Sequence, residues 1–90
     1  MGQTISISTR HGRISAWEAK PHDKPRGAII VVQEIFGLNP HIRQVTDRFA
    51  NYGYLAVAPA LFDLVDRGVE LAYDEAGVAK GRALTEELGF

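Results

Sequence analysis

The sequence contains no cysteine, and its acidic and basic residues nearly balance. A chain without cysteine forms no disulfide, offers no thiol nucleophile and builds no cysteine-ligated metal site. Ten basic and eleven acidic residues give a net charge of −1, unlike a nucleic-acid-binding surface or a polybasic membrane patch. The longest apolar run is also far shorter than the ~20 residues of a membrane span. We therefore expect neither a nucleic-acid partner nor a membrane partner.

Export signals and metal-binding patterns are equally sparse. The first four residues, MGQT, show neither the basic block nor the apolar block of a signal peptide, so a cytoplasmic location is expected. No metal or cofactor site is expected either. The acidic residues near the end do not have the spacing of metal ligands and are interpreted as solvated helix positions: Asp74, Glu75, Glu86 and Glu87.

Two segments near the start alternate between polar and apolar residues, as half-exposed strands do. Residues 4–9 read TISIST and residues 13–18 read RISAWE, with His11 and Gly12 between them as a turn. This pattern predicts an antiparallel β-hairpin. Residues 20–26, with two prolines and several charged side chains, are predicted to form an exposed loop.

A βαβ unit is predicted next. Residues 28–32 are uniformly apolar, which is typical of a strand buried on both faces. A helix follows with Asn39 as its N-cap and Pro40 at its first position, and residues 51–53 end it at a glycine. Residues 54–58 form a second buried strand, parallel to the first through a right-handed crossover. The apolar face of the helix consists of Ile42, Val45, Phe49 and Ala50.

The last third of the chain is predicted to be a loop over about residues 60–70 and then a helix. Gly77 and Gly81 weaken that helix, by roughly 1 kcal/mol each relative to alanine, unless they allow close packing. Two buried strands and two helices do not cover a parallel sheet, so the chain is interpreted as the N-terminal part of a larger α/β protein. The apolar face predicted for this helix is Ala76, Ala79, Ala83, Leu84 and Leu88.

Glu34 is the most informative candidate for chemistry. It follows the apolar run and precedes a glycine turn and a helix start. In open α/β sheets the reactive groups gather at the carboxyl ends of the strands. The alternative interpretation is a solvated carboxylate at a strand end. The three histidines, His11, His22 and His41, lie next to no candidate nucleophile and are interpreted as surface residues.

Two sequence blocks resemble the dienelactone hydrolase family, a branch of the α/β-hydrolases. Residues 33–39, QEIFGLN, resemble the family's Q-E-I-F-G-x-N signature, and residues 52–62, YGYLAVAPALF, are similar to its G-Y-x-x-x-x-P-x-L-[YF] segment. The spacing of the blocks also agrees. The resemblance implies that residues 1–90 are the N-terminal portion of one α/β-hydrolase domain, with a β-hairpin, a βαβ unit and a C-terminal helix. It also implies that the complete protein hydrolyses a small-molecule ester or lactone.

The resemblance assigns roles to particular residues. In the family, the glutamate matching Glu34 contacts the nucleophile, and the backbone N–H matching that of Ile35 helps to form the oxyanion hole. Phe36 and Arg67 are candidates for substrate binding. The position where many members carry a carboxylate-binding arginine is Leu64 here, which puts a preference for anionic substrates in doubt. The 90 residues contain neither G-x-C-x-G nor G-x-S-x-G, and the segment with the catalytic Asp and His is absent.

A second hypothesis comes from a different class of protein. The same elements could form a non-catalytic module that binds a partner by pairing the edge of its sheet. An unpaired edge also predicts self-association of the 90-residue chain. A reading frame that continues into a strand and a G-x-[CS]-x-G elbow would favour the hydrolase. A stop codon would favour the module.

Overall fold

A computed structural model describes residues 2–89 of the chain. It contains four strands, two α-helices and a short 3₁₀ helix. In chain order they are β1 (Gln3–Thr9), β2 (Gly12–Ala19), β3 (Ala28–Ile30), α1 (Pro40–Asn51), β4 (Leu55–Pro59), the 3₁₀ helix (Leu61–Leu64) and α2 (Glu75–Leu88).

The four strands form one mixed sheet in the order β1-β2-β4-β3. The β1 and β2 strands pair antiparallel, which confirms the predicted hairpin. The β3 and β4 strands pair parallel on either side of α1, as the βαβ prediction requires. An antiparallel pairing of β2 with β4 joins the hairpin to the βαβ unit. Sequence patterns did not predict that junction, which places β3 at one edge of the sheet.

The α1 helix begins and packs as its sequence predicts. The Asn39 side-chain oxygen accepts a hydrogen bond from the Ile42 N–H at 3.0 Å, and Pro40 occupies the first turn. Ile42 and Ala50 are buried, and the helix packs against β4 and β2. Thr46 is also fully buried. Its hydroxyl donates to the Ile42 carbonyl at 2.7 Å, so burial leaves this hydroxyl hydrogen-bonded.

The prediction of a fully buried strand over residues 28–32 is wrong for the described chain. The strand ends at Ile30, and only the Val31 N–H continues its ladder, donating to the Val57 carbonyl at 2.8 Å. Ile30 is 72% exposed and Val32 is 65% exposed. The physical reason is that β3 is an edge strand, paired on one side only. The β4 strand is half-buried, with its inward residues Ala56 and Ala58 fully buried.

The predicted apolar face of α2 is also wrong, except at Leu84. The buried residues are Gly77, Gly81 and Leu84, whereas the alanines predicted to face inward are exposed. The two glycines do allow close packing, because backbone lies against both of them. Asp74, expected to be a solvated helix residue, is the N-cap of α2 and accepts from the Gly77 N–H at 2.7 Å.

The segment predicted to be a plain loop over residues 60–70 contains the 3₁₀ helix. Asp63 of that helix is buried and accepts hydrogen bonds from the Ser15 N–H at 2.8 Å and the Gly68 N–H at 3.1 Å. These bonds fasten the segment to β2. Buried pairing of this kind depends on contacts far apart in the sequence, which local patterns do not reveal.

Candidate active site

The QEIFG segment, residues 33–37, forms a tight turn just beyond β3. The Gly37 N–H donates to the Glu34 carbonyl at 3.1 Å, which places Ile35 and Phe36 at the two central positions. No non-glycine residue in the described chain has a positive φ and no peptide bond there is cis, so this hydrogen-bonded turn is of type I. Gly37 has a φ of +90°, and a Cβ there would overlap the Val69 carbonyl. Glycine is therefore required at this position.

Gln33 ties the turn to the 3₁₀ helix. Its side-chain nitrogen donates to the Glu34 carbonyl at 3.2 Å, and its side-chain oxygen accepts from the Leu61 N–H at 3.0 Å. The Glu34 carbonyl belongs to the same peptide plane as the Ile35 N–H. Gln33 therefore fixes the plane that carries the predicted oxyanion donor.

Phe36 is fixed by the segment before α2. Its carbonyl accepts a hydrogen bond from the Leu71 N–H at 2.8 Å. Its ring meets the Tyr73 ring edge to face, with centroids 4.4 Å apart at 84°. The Tyr73 hydroxyl in turn accepts from the Asn39 side chain at 2.9 Å. The side chain of Phe36 is thereby oriented by packing and is half-buried.

The structure brings Glu34 and Ile35 together at one cavity of about 220 Å³. Glu34 is exposed, and within residues 2–89 its carboxylate forms no hydrogen bond and no ion pair. The Ile35 N–H likewise donates to no acceptor in that range. A carboxylate and a backbone donor thus stand side by side, both available to a further group. The lining residues are Val32, Gln33, Glu34, Ile35, Leu61, Phe62 and Thr85.

Arg67 lies elsewhere. Its guanidinium donates to the Arg13 carbonyl and stands 3.8 Å from the Asp63 carboxylate. It lines a different cavity, together with Arg43 and Glu70. The structure therefore does not join Arg67 to Glu34, and its role in substrate binding stays a prediction. Leu64 is half-buried in the 3₁₀ helix.

The remaining titratable groups of the described chain do not approach this cavity. His11, His22 and His41 are exposed, and none of them lines the cavity. Across residues 2–89, no three His, Asp or Glu side chains are grouped to hold a metal ion. None of the described helices has the length and apolar character needed to cross a membrane.

Sequence analysis missed two residues at the site. Gln33 is part of the QEIFG block, but only the turn geometry shows what its amide bonds to. Thr85 of α2 lines the cavity, and its hydroxyl donates to the Gly81 carbonyl at 2.8 Å. No sequence pattern links Thr85 to residues fifty positions earlier.

Comparisons with known proteins point to one family. Residues 14–87 match the family model described as "Dienelactone hydrolase family". A Synechocystis protein named "Putative carboxymethylenebutenolidase" is 48% identical over 84 residues, which cover 92% of this chain and 34% of that protein. The solved structure of a "Putative Dienelactone Hydrolase" from Klebsiella pneumoniae is 39% identical, with a TM-score of 0.68. That match covers 74% of this chain and 29% of the Klebsiella chain.

A more distant likeness shows the fold alone. A solved Agrobacterium tumefaciens protein described as "a Putative Alpha/Beta Hydrolase" is 11% identical, with a TM-score of 0.50 over 96% of this chain and 42% of that one. The mixed sheet and its helices are part of an α/β-hydrolase fold. The chain spans about a third of the Synechocystis relative (34%) and 22–23% of the Yersinia pestis and Escherichia coli relatives.

Proposed function

Because this chain belongs to the dienelactone hydrolase family, we propose that it supplies part of the active site of a hydrolase of carboxylic ester or lactone bonds. The observation that carries the proposal is that Glu34 and Ile35 line one cavity. Both groups lack partners within residues 2–89, and both stand on a turn that is fixed from two sides. The substrate is a small molecule in this proposal, and no cofactor takes part.

The Ile35 N–H is proposed as one donor of the oxyanion hole. When a nucleophile attacks an ester or lactone carbonyl, negative charge develops on the carbonyl oxygen. A donor that already points to that position stabilises the transition state without reorganising. The type I turn supplies such a donor, since its own hydrogen bond uses the Gly37 N–H and leaves the Ile35 N–H unused.

Glu34 is proposed to act on the nucleophile. A carboxylate beside a thiol or hydroxyl can accept its proton or hold its side chain in place. These 90 residues contain no G-x-C-x-G or G-x-S-x-G stretch, so the nucleophile and the catalytic Asp and His are expected in the remainder of the proposed enzyme. Residues 1–90 alone are accordingly expected to show no hydrolysis of activated esters or lactones above that of a heat-treated sample.

The test is to delete the donor while keeping the turn. Proline fits the second position of a type I turn, so Ile35→Pro removes the N–H without demanding another backbone shape. In the complete enzyme we expect kcat to fall about 10²–10³-fold, as when one oxyanion donor is lost. Ile35→Val keeps the N–H and should stay within threefold of the parent. A folded Ile35→Pro enzyme with normal kcat would refute the proposed donor.

A second candidate function rests on the exposed edge of the sheet. Ile30 and Val32 are more than half exposed on and just beyond the edge strand β3, which pairs with β4 on one side only. An unpaired strand of this kind can pair with another chain. A non-catalytic module that associates through β3 is therefore the alternative, and the presence or absence of a downstream nucleophile elbow discriminates between the two.

A further inference from the structure

Helix α2 touches the backbone of Ile35 at a glycine. Gly81 is buried, and a Cβ placed on it would overlap the Ile35 carbonyl oxygen. The same Cβ would lie 3.0 Å from the Ile35 carbonyl carbon and 3.1 Å from the Ile35 Cβ. These distances are shorter than ordinary van der Waals contacts between carbon atoms. Any side chain at position 81 therefore displaces Ile35, α2 or both.

The Ile35 carbonyl, which Gly81 contacts, accepts no hydrogen bond from residues 2–89, unlike the Glu34 and Phe36 carbonyls on either side of it. The Glu34 carbonyl is held by Gly37 and Gln33, and the Phe36 carbonyl is held by Leu71. The Ile35 carbonyl, between them, instead faces Gly81. Its peptide plane shares the Ile35 Cα with the plane that carries the Ile35 N–H. A methyl group at position 81 would press on the carbonyl carbon and on the Cβ of Ile35, which are both bonded to that Cα. If the turn yields, the Cα shifts and the Ile35 nitrogen shifts with it.

Glycine at position 81 is poorly explained by helix stability. A glycine in a helix interior is less favourable than alanine, because it loses more backbone freedom when the helix forms. The helix carries another buried glycine one turn earlier, Gly77, where a Cβ would overlap the Ala72 carbonyl in a different segment. Both glycines are buried, and both lie against a backbone carbonyl. Gly77 is in the first turn of α2, where its N–H is capped by Asp74, whereas Gly81 is in the helix interior and lies against Ile35.

We infer that Gly81 is a positioning residue that sets the orientation of the Ile35 N–H by letting α2 lie directly against the Ile35 carbonyl. The inference rests on the proposed function, since it assigns the N–H to the oxyanion. Gly81 touches no reacting atom itself. Its effect is exerted through the backbone of the turn, where a displacement of about 1 Å can cost about 10²-fold in rate.

The experiment compares Gly81→Ala with Gly77→Ala in the complete enzyme. Each variant adds one methyl group to α2. The methyl group meets the Ile35 carbonyl in Gly81→Ala and the Ala72 carbonyl in Gly77→Ala. We expect Gly81→Ala to lower kcat at least tenfold with KM within threefold of the parent, and Gly77→Ala to keep kcat within threefold. Binding of a trifluoromethyl ketone, which forms an anionic tetrahedral adduct, should weaken in parallel with kcat only in Gly81→Ala. Equal kcat values for the two variants would overturn the inference.

A double-mutant cycle separates this inference from the proposed function. If Gly81 acts through the Ile35 N–H, then adding Gly81→Ala to Ile35→Pro should lower kcat by less than threefold more. A full tenfold further loss would overturn the positioning role while leaving the oxyanion donor intact. Normal kcat for Ile35→Pro alone would instead refute the proposed role of the Ile35 N–H as an oxyanion donor.

A measurement on the parent enzyme keeps the inference testable if Gly81→Ala does not fold. In a crystal structure of the trifluoromethyl ketone adduct, we expect the oxyanion within 3.2 Å of the Ile35 nitrogen, a normal hydrogen-bond length. The Ile35 carbonyl should stay in van der Waals contact with the Gly81 Cα. A gap wide enough to accept a methyl group between them would overturn the inference.

Discussion

The side chain of Gln33 bridges the turn and the 3₁₀ helix, accepting a hydrogen bond from the Leu61 N–H at 3.0 Å while donating to the Glu34 carbonyl at 3.2 Å. One amide thus joins the strand-end turn to the segment that follows β4. The carbonyl it holds is covalently part of the peptide that carries the Ile35 N–H. The Gln33 side chain therefore connects the segments that follow β3 and β4, and it helps to orient the peptide of the proposed Ile35 donor.

Breaking this bridge should slow catalysis and also destabilise the fold. Gln33→Leu removes both hydrogen bonds, and the loss of two such bonds should lower the free energy of unfolding by about 1–3 kcal/mol. We expect kcat to fall about tenfold, because the Glu34–Ile35 peptide is then held by Gly37 alone. Gln33→Glu is the matched variant, since it keeps the acceptor for Leu61 and loses only the donor. Steady-state kinetics and urea unfolding of the complete enzyme measure both effects, and an unchanged kcat in Gln33→Leu would contradict the bridge's role.

The carboxylate of Glu34 should matter for rate and for its pH dependence, with little effect on stability. Glu34 is exposed and forms no hydrogen bond or ion pair within residues 2–89, so Glu34→Gln removes no stabilising contact there. A carboxylate that serves the nucleophile can accept its proton, which an amide cannot do. In Glu34→Gln we therefore expect a lower kcat/KM and a changed pH profile.

The control for Glu34→Gln is its free energy of unfolding, which should stay within about 0.5 kcal/mol of the parent, as for a surface substitution. An undiminished rate with an unshifted pH profile would mean that Glu34 is only a solvated strand-end residue. Lower stability with a normal profile would give it a structural role instead.

Local patterns sufficed where the physics is local. Strict alternation predicted β1 and β2, and the Asn39–Pro40 start predicted where α1 begins, because capping depends on neighbours within a few residues. The parallel partners β3 and β4 followed from the intervening helix. Glu34 and Ile35 line one cavity, and their roles as site residues stay predictions.

The remaining features depend on contacts between distant segments. The apolar run over residues 28–32 indicates burial, but the sheet order makes β3 an edge, and Ile30 is exposed in the described chain. In α2 the alanines indicated an apolar face, whereas the helix packs through Gly77 and Gly81. Because glycine has no side chain, these two positions add nothing to a hydrophobic pattern in the sequence. The role of Gln33 was not predicted, because it depends on the hydrogen bonds of its side-chain amide to Glu34 and Leu61, and Leu61 is far away in the sequence.

Asp63 should be a major stabilising residue of the segment after β4. Its buried carboxylate accepts from the Ser15 and Gly68 N–H groups, and a hydrogen bond to a charged group contributes about 1.5–3 kcal/mol. Asp63→Ala should therefore lower the free energy of unfolding by about 2–4 kcal/mol. Asp63→Asn keeps one acceptor oxygen, so its free energy of unfolding should fall by about half as much. Arg67→Ala, which removes an exposed ion pair at 3.8 Å and an exposed hydrogen bond to the Arg13 carbonyl, should lose less than about 1 kcal/mol. Equal losses for Asp63→Ala and Arg67→Ala in urea unfolding would contradict this account.

The edge of the sheet should make the 90-residue chain self-associate. The β3 strand pairs on one side only, and Ile30 and Val32 expose 72% and 65% of their surface there. Exposed apolar edges of this kind pair with other chains, whereas a lysine on the edge disfavours the pairing, because it would have to lose its hydration. Sedimentation velocity of residues 1–90 should show oligomers that grow with concentration. Ile30→Lys should shift the distribution towards the monomer, and Lys24→Ala, in the exposed loop before β3, should leave it unchanged. A parent chain that sediments as a monomer and melts cooperatively at high temperature would show that the edge needs no further strand.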